Sequence, residues 1–333
     1  GLRQKDLHLD NFLYSQGRWY TIDGDGVNSK RAGTALNIKD SLDNLALFFA
    51  QLPPSGDYLI KPALTEYCQA RHQTRQFNVD VLSTSLVPLL FKVRKKRRLN
   101  YVKKSYRSCS EFIRSNTIHQ TAIYRRDADH QRISQLLANP DTLITHGEML
   151  KDGNSATVVR ILHPQGNWVI KRYNIKGIWH AMKRCLRPSR AWVSWGNTQR
   201  LNISNIATPQ AIAMIEKRFG PLRLSSYYVC EHINAPGATE YFSTQPTGNI
   251  ETAQQFVTLF SVLLQLGIYH GDCKGTNFLI RDGQPWVIDL DSMREFCWRR
   301  RFLHAYPIDQ KRFLRNWASQ PQLQRWFEKH LPG

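Results

Sequence analysis

The chain has 333 residues, with 46 Lys plus Arg against 26 acids, a net charge of +20 and an isoelectric point near 9.9. A hydrophobic fraction of 41% excludes a disordered chain, whose mark is low hydrophobicity with high net charge. The length allows one large or two ordinary domains, and the surplus of positive charge points to polyanions: nucleic acid, anionic lipid head groups or phosphorylated glycans.

Cys68, Cys109, Cys185, Cys230, Cys273 and Cys297 are scattered, with no CxxC pair. That argues against zinc and fits a reducing compartment. The longest apolar stretch, Phe256 to Ile268, is broken by Thr258, Ser261 and Gln265 and is too short to span a bilayer, so a soluble protein is expected.

The first element is half of a repeat. Gly1, Asp6, Asn11, Phe12, Leu13, Gly17, Ile22, Asp23 and Asp25 recur as Gly267, Asp272, Asn277, Phe278, Leu279, Gly283, Ile288, Asp289 and Asp291, every pair 266 residues apart and without a gap. That offset is about the length of a domain. The chain therefore reads as opening inside one copy of a domain and then containing a second, complete copy. In the first copy Gln4 stands for His270, Lys5 for Gly271 and His8 for Lys274.

An apolar run, Leu86 to Phe91, leads into a stretch rich in Lys and Arg from Lys92 to Arg107, expected to be an exposed linker between the copies. A second basic run spans Lys171 to Arg190. Each reads either as a solvated helix face or as a contact for anionic lipid or phosphorylated sugar. No RNA- or DNA-binding module is evident, which makes nucleic acid an unfavoured partner.

Residues Leu150 to Ile161 alternate like two strands around a turn at Gly153 and Asn154, whose backbone could cover phosphates. Trp168-Val-Ile-Lys171 then reads as a strand carrying a lysine for the nucleotide phosphates. A helix is expected over Ser189 to Leu201, but it holds no acid to pair with Lys171. The nearest candidate, Glu216, falls on a later strand, so the partner of Lys171 is unassigned. Tyr227 to Ile233, with Glu231, reads as the strand and hinge beside adenine.

After a helix over Gln255 to Leu266 comes His270-Gly-Asp272-Cys-Lys274-Gly-Thr-Asn277, a strand, a turn at Arg281 to Gly283, and a strand ending in Asp289. In kinases a loop aspartate takes the acceptor's hydroxyl proton. An asparagine five residues on and an aspartate at the next strand end hold magnesium, a hard cation that prefers oxygen ligands. The spacing matches with Asp272 as catalytic aspartate and Asn277 and Asp289 as metal ligands. Lys274 would offset charge on the transferred phosphate. ATP and magnesium are the expected cofactors.

Together these residues resemble the lipopolysaccharide core sugar kinases, the Kdo/WaaP family of the protein-kinase-like superfamily. The resemblance rests on Lys151 to Arg160, Val169 to Asn174, Arg190 with Trp195 and Asn197, Ile206 to Pro209, His270 to Leu279 and Val287 to Asp291. It covers roughly Ala138 to the C-terminus, with a partial echo over Gly1 to about Arg107. It implies an α+β, bilobal kinase-like fold, with a partial C-lobe-like copy at 1–110 and a complete domain at 111–333 (nucleotide lobe about 111–235, catalytic lobe about 236–333). It further implies phosphorylation of heptose or Kdo hydroxyls on the lipopolysaccharide core of a Gram-negative envelope, at the cytoplasmic face of the inner membrane. Carried over by the resemblance, Asp272 is the base, Asn277 and Asp289 the metal ligands and Lys171 the phosphate lysine. No Ala-Pro-Glu activation segment follows Asp291, which suits a sugar acceptor better than a peptide. Two alternatives stay open: a small-molecule kinase resembling the aminoglycoside phosphotransferases, and a kinase-like binding or regulatory module without turnover. The first copy, with no nucleotide lobe of its own in this chain, is expected to be structural.

Overall fold

The computed structural model describes residues 1–5, 7–29, 34–71, 78–174, 187–219, 222–244 and 250–333. Asp6 of the first repeat and most of the basic run after Lys171 lie outside them. The chain is a mixture of helix and sheet in two compact units, Gly1–Arg98 and Leu99–Gly333.

In the first unit, strands β1 (Leu2–Gln4) and β4 (Val27–Ser29) pair antiparallel around a hairpin of β2 (Phe12–Ser15) and β3 (Arg18–Thr21). Helix α1 (Ile38–Phe49) starts where the Asn37 side chain accepts from the Asp40 N–H at 2.8 Å, satisfying one of the free donors of its first turn. It packs with α2 (Ile60–Ala70) and α3 (Val79–Lys104) around Ala46, Phe49, Leu64, Leu86 and Leu90. The basic stretch expected to be a linker is thus mostly the last turns of α3, and much of it is not free. Arg94 grips Asp57 through both oxygens, at 2.9 and 2.6 Å, and Arg98 is 3% exposed.

The second unit begins with a seven-stranded sheet in the order β5-β6-β10-β11-β9-β8-β7. Its strands are β5 (Phe112–Asn116), β6 (Gln120–Arg125), β7 (Glu148–Gly153), β8 (Ala156–Ile161), β9 (Trp168–Tyr173), β10 (Ala211–Phe219) and β11 (Leu222–Glu231). Helices α4 (His130–Ala138) and α5 (Pro140–His146) fall between β6 and β7. Apolar side chains from one face, including Val159, Ile170, Ile215 and Val229, pack with Ile133 and Leu136 of α4. Helix α6 (Arg190–Asn202) starts at Ser189, whose hydroxyl accepts from the Trp192 N–H. Its Trp195 is fully buried and donates to the Ser105 carbonyl at 3.1 Å.

The helical half carries α7 (Ala238–Thr244), α8 (Ile250–Leu266), α9 (Arg299–Leu314) and α10 (Pro321–His330) around an aromatic core. Ring centroids of Phe256 and Phe278 lie 5.4 Å apart, Phe278 and Phe313 5.9 Å, and Phe313 and Phe327 5.0 Å. These are favourable edge-on separations. Phe278 opens the hairpin β13 (Phe278–Arg281) and β14 (Gln284–Val287), so the core holds the segment next to Asn277. A short pair, β12 (Ile268–Tyr269) and β15 (Arg294–Glu295), closes around it. Val287 is tied to the chain after α6, its N–H donating to Ala207 and its carbonyl accepting from Thr208 Oγ1 at 2.7 Å.

Over the described residues the two similar stretches share strand register. Phe12 faces Thr21 as Phe278 faces Val287, and Leu2 faces Ser29 as Ile268 faces Glu295. Left-handed conformations recur at Gln16, Gly17 and Asp23 as at Asp282, Gly283 and Asp289. The helices that follow make comparable contacts, but at a separation of 265 residues rather than 266. Asn316 donates to the Cys273 carbonyl, and Gln51 to the matching carbonyl of Leu7; Asp309 accepts from the His270 N–H, and Asn44 from that of Gln4. The correspondence stops at Gly271, whose φ is +84° and where a Cβ would meet the Ser292 carbonyl at 2.8 Å. Lys5 stands there in the first unit without a positive φ. Among the described residues no helix is long and apolar enough to cross a membrane.

Candidate active site

Lys171 lies near the middle of β9, between Val158 of β8 and Tyr228 of β11. Its ammonium donates to Asp289 Oδ1 and lies 3.3 Å from Asp291 Oδ2. The partner absent from the helix is therefore supplied by the tip after β14. Asp291 is shared: Arg190, the first residue of α6, reaches the same oxygen at 2.6 Å. Arg190 also donates to the Ser155 carbonyl in the β7–β8 turn and lies over the Tyr173 ring at 4.6 Å, with the Lys171 ammonium 5.0 Å from that ring. The Asp291 side chain is only 5% exposed, and these two cations compensate its burial. Glu216 is elsewhere: fully buried, it accepts from the Ser189 N–H and pairs with Arg218 at 3.1 Å.

Burial pushes the Asp289 carboxyl pKa up, but the charge and hydrogen bond of Lys171, with Arg190 beyond, more than offset this and hold it below the ordinary range. Its backbone is left-handed, at φ 60° and ψ 58°, where the chain turns out of the strand. Asn197 of α6 fixes this turn, its amide donating to the Leu290 carbonyl at 2.7 Å and the Met293 carbonyl at 2.9 Å.

The loop before β13 is held from beneath. His270 is buried; its Nδ1 accepts from the Asp272 N–H at 3.2 Å and its Nε2 donates to the Ile288 carbonyl at 3.1 Å. Burial lowers its pKa, which keeps the imidazole neutral as that Nδ1 acceptor role requires. Asp309 of α9 takes the N–H groups of His270 at 2.6 Å and Gly271 at 3.0 Å. Asp272 itself faces three donors. Asn277 Nδ2 lies 3.1 Å from Oδ2, Lys274 Nζ 3.4 Å from the same oxygen, and Arg312 3.0 Å from Oδ1. The structure thus brings Asp272, Lys274 and Asn277 together at one point and Lys171 and Asp289 at another, the two joined by a backbone hydrogen bond from Ile288 to Asn277.

Gly153 ends β7 and its carbonyl accepts from Asn174, and Asn154 with Ser155 forms the turn into β8. Glu231 ends β11, where its carboxylate accepts from the Gln210 N–H at 2.9 Å. That side chain is spent on the backbone of the hinge. Asp309, Arg312 and the role of Asp291 escaped the sequence reading. A signal existed for Asp309: it occupies the buried stripe Phe302, Tyr306, Asp309, Phe313 of α9, where a lone carboxylate must find donors.

The donor set suits the groups such a site would hold. The Asn277 amide nitrogen is used internally, which leaves its carbonyl oxygen, together with Asp289 Oδ2, as hard oxygen ligands of the kind magnesium takes. An aspartate between cations in a loop, joined to a carboxylate tip and a strand lysine, defines a phosphotransferase. Residues 143–306, which contain Lys171, Arg190, Asp272, Lys274, Asn277, Asp289 and Asp291, match the lipopolysaccharide kinase (Kdo/WaaP) family, and the chain is a kinase. Among solved structures it is similar to WaaP in complex with acyl carrier protein, at 19% identity over 57% of this chain and 90% of that one, with a TM-score of 0.37. It is also similar to the kinase domain of M. tuberculosis PknI, at 13% identity over 44% of this chain and 57% of that one, with a TM-score of 0.30. No curated protein matches the chain.

Burial raises the pKa of Asp309 from an ordinary 3.8 to about 6, against the lowering effect of the two N–H donors. Between those values the native state keeps a proton that the unfolded chain has released. The contribution of Asp309 to stability is therefore full below the lower value and lost as pH rises through the upper one. The stability of wild type relative to Asp309→Asn should fall by roughly 2 kcal/mol between about pH 4 and pH 7. Urea unfolding at both pH values measures it, and a pH-independent difference contradicts the assignment.

Proposed function

We propose that the chain is an ATP- and magnesium-dependent kinase that phosphorylates heptose or Kdo hydroxyls of the lipopolysaccharide inner core, working at the cytoplasmic face of the inner membrane. The observation that carries this reading is Asp272 standing between Arg312 and Lys274 beside a tip and strand lysine that belong to a domain of the lipopolysaccharide kinase family. Asp272 orients the acceptor hydroxyl and takes its proton. Lys274 and Arg312, both about half exposed, suit an acceptor that is itself anionic, such as a sugar acid or an already phosphorylated core. Lys171 holds the nucleotide phosphates, and the turn at Gly153 and Asn154 covers them. Asn277 and Asp289 hold magnesium, which when bound neutralises phosphate charge and fixes the phosphate oxygens.

Replacing Asp272 with Ala should lower phosphoryl transfer by about 1,000-fold or more while leaving the ATP dissociation constant within about threefold, since the side chain meets the acceptor rather than the nucleotide. Transfer from labelled ATP to lipopolysaccharide core oligosaccharides measures the first quantity and calorimetry the second. Near-wild-type transfer removes the catalytic role. Transfer to small aminoglycosides, but to no core sugar, replaces the acceptor.

The division into a partial kinase copy at 1–110 and a complete domain at 111–333 is part of the same proposal. It is supported by the matching strand register and by the carbonyl contacts that Gln51 and Asn316 repeat. The first copy has lost the cations of the loop: His8 stands where Lys274 does, and neither Ala46 nor Leu47, 266 and 265 residues before Arg312, carries a charge. Its role is structural, and the double variant Asp6→Ala/Asp23→Ala should transfer phosphate within about twofold of wild type. Loss of transfer in a variant with a wild-type melting profile makes the first copy catalytic instead.

A further inference from the structure

Helix α9 has two faces of different character. Phe302, Tyr306, Asp309 and Phe313 are buried, and Tyr306 Oη donates to the Phe260 carbonyl. The outward face takes in Arg300, Leu303, His304, Ile308 and Lys311, all exposed, and continues into Trp298 just before the helix. Trp298 is 68% exposed, Leu303 46% and Ile308 57%. Large apolar side chains are thus interleaved with cations on one outward face.

The cations of this face are available. Among the described residues Arg300, Arg301 and Lys311 pair with no carboxylate. The basic end of α3 differs: Arg94 is bound to Asp57, Lys104 to Glu111 at 2.8 Å, and Arg98 is buried. Free cations beside an exposed tryptophan and two aliphatic side chains form the surface an amphipathic helix presents to a bilayer: rings and aliphatic groups at the head-group boundary, cations on lipid phosphates. The same helix reaches the catalytic loop. Arg312, which follows Lys311 directly, pairs with Asp272. A membrane resting on this face would therefore end one residue from a side chain that touches the catalytic aspartate.

We infer that the outward face of α9, from Trp298 through Lys311, docks the kinase on an anionic lipid surface and delivers a membrane-borne acceptor to Asp272. The inference deepens the glycolipid-kinase reading and rests on it for the acceptor, but its lipid-binding half stands apart from the acceptor's identity. Charge selects this occupant: three unpaired cations and no exposed acid between Trp298 and Lys311 complement lipid phosphates.

The test is co-sedimentation of the full chain with vesicles of phosphatidylethanolamine and phosphatidylglycerol at about 3:1, against vesicles in which phosphatidylcholine replaces the phosphatidylglycerol. Wild type should sediment with the anionic vesicles only. Arg300→Glu/Arg301→Glu/Lys311→Glu should weaken that binding about a hundredfold. Trp298→Ser/Leu303→Ser should weaken it about tenfold or more without changing the charge. Both variants should bind ATP as wild type does, which excludes misfolding as the cause. Wild type that ignores anionic vesicles overturns the inference. So does wild-type vesicle binding by both variants, or binding lost only in Lys92→Glu/Lys96→Glu/Lys103→Glu, which would place the contact on α3. Retention only by an acidic protein would make the face a protein-docking surface and equally overturn it. Vesicle binding as expected, with no phosphorylation of any core sugar, leaves the lipid surface standing and removes the acceptor reading alone.

Discussion

The site depends on two carboxylates within three residues of each other, Asp291 buried and Asp289 partly so, faced by two cations. Asp289 and Asp291 lie at a left-handed turn, and Lys171 and Arg190 approach them from the sheet and from the start of α6. Burying a carboxylate is unfavourable unless it is paired, and removing one member of a buried pair costs about 3–5 kcal/mol. The strand, the helix start and the hairpin tip are thus locked by the same charges that are proposed to meet nucleotide and metal. Where kinases usually place a helix glutamate against the strand lysine, this chain places an arginine on the helix and moves the acid to the tip.

Around that network the positioning is done largely through backbone groups. Asp309 takes two loop N–H groups, His270 links the loop to the strand before Asp289, and Asn197 holds two carbonyls of the tip. Each of these side chains is itself buried, so none has room to drift. The aromatic core beneath, from Phe256 through Phe278 to Phe313, fixes the strand that carries Asn277 into place. Phosphoryl transfer is catalysed mainly by positioning and by charge, and a site held this way starts with much of the orientation already made.

Local structure written as spacing was readable in the sequence. A short loop sets Asn277 against Asp272, and a hairpin, marked by the turn residues Asp282 and Gly283, returns the chain so that Ile288, next to Asp289, bonds the Asn277 carbonyl. The strands around Gly153 and Lys171 were visible for the same reason, as alternation broken by turns. Contacts between distant elements were not. Nothing local says that Arg190 will meet Asp291 across 101 residues, or that Asp309 will cap a loop 39 residues earlier. The basic stretch after Lys92 was read as a linker from its charge, yet Val93 and Val102 continue the helix and Asp57 takes up one of its arginines. Burial of a charge is a tertiary fact, and composition does not carry it.

The most direct measurement is the affinity for ATP of Asp289→Asn, with and without magnesium, by calorimetry. The account places Asp289 as the anionic metal ligand and the ion-pair partner of Lys171. It predicts that the variant loses the magnesium-dependent part of ATP binding, by about tenfold or more, while metal-free binding changes little or improves as Lys171 is released. Magnesium-dependent affinity equal to that of wild type would contradict it.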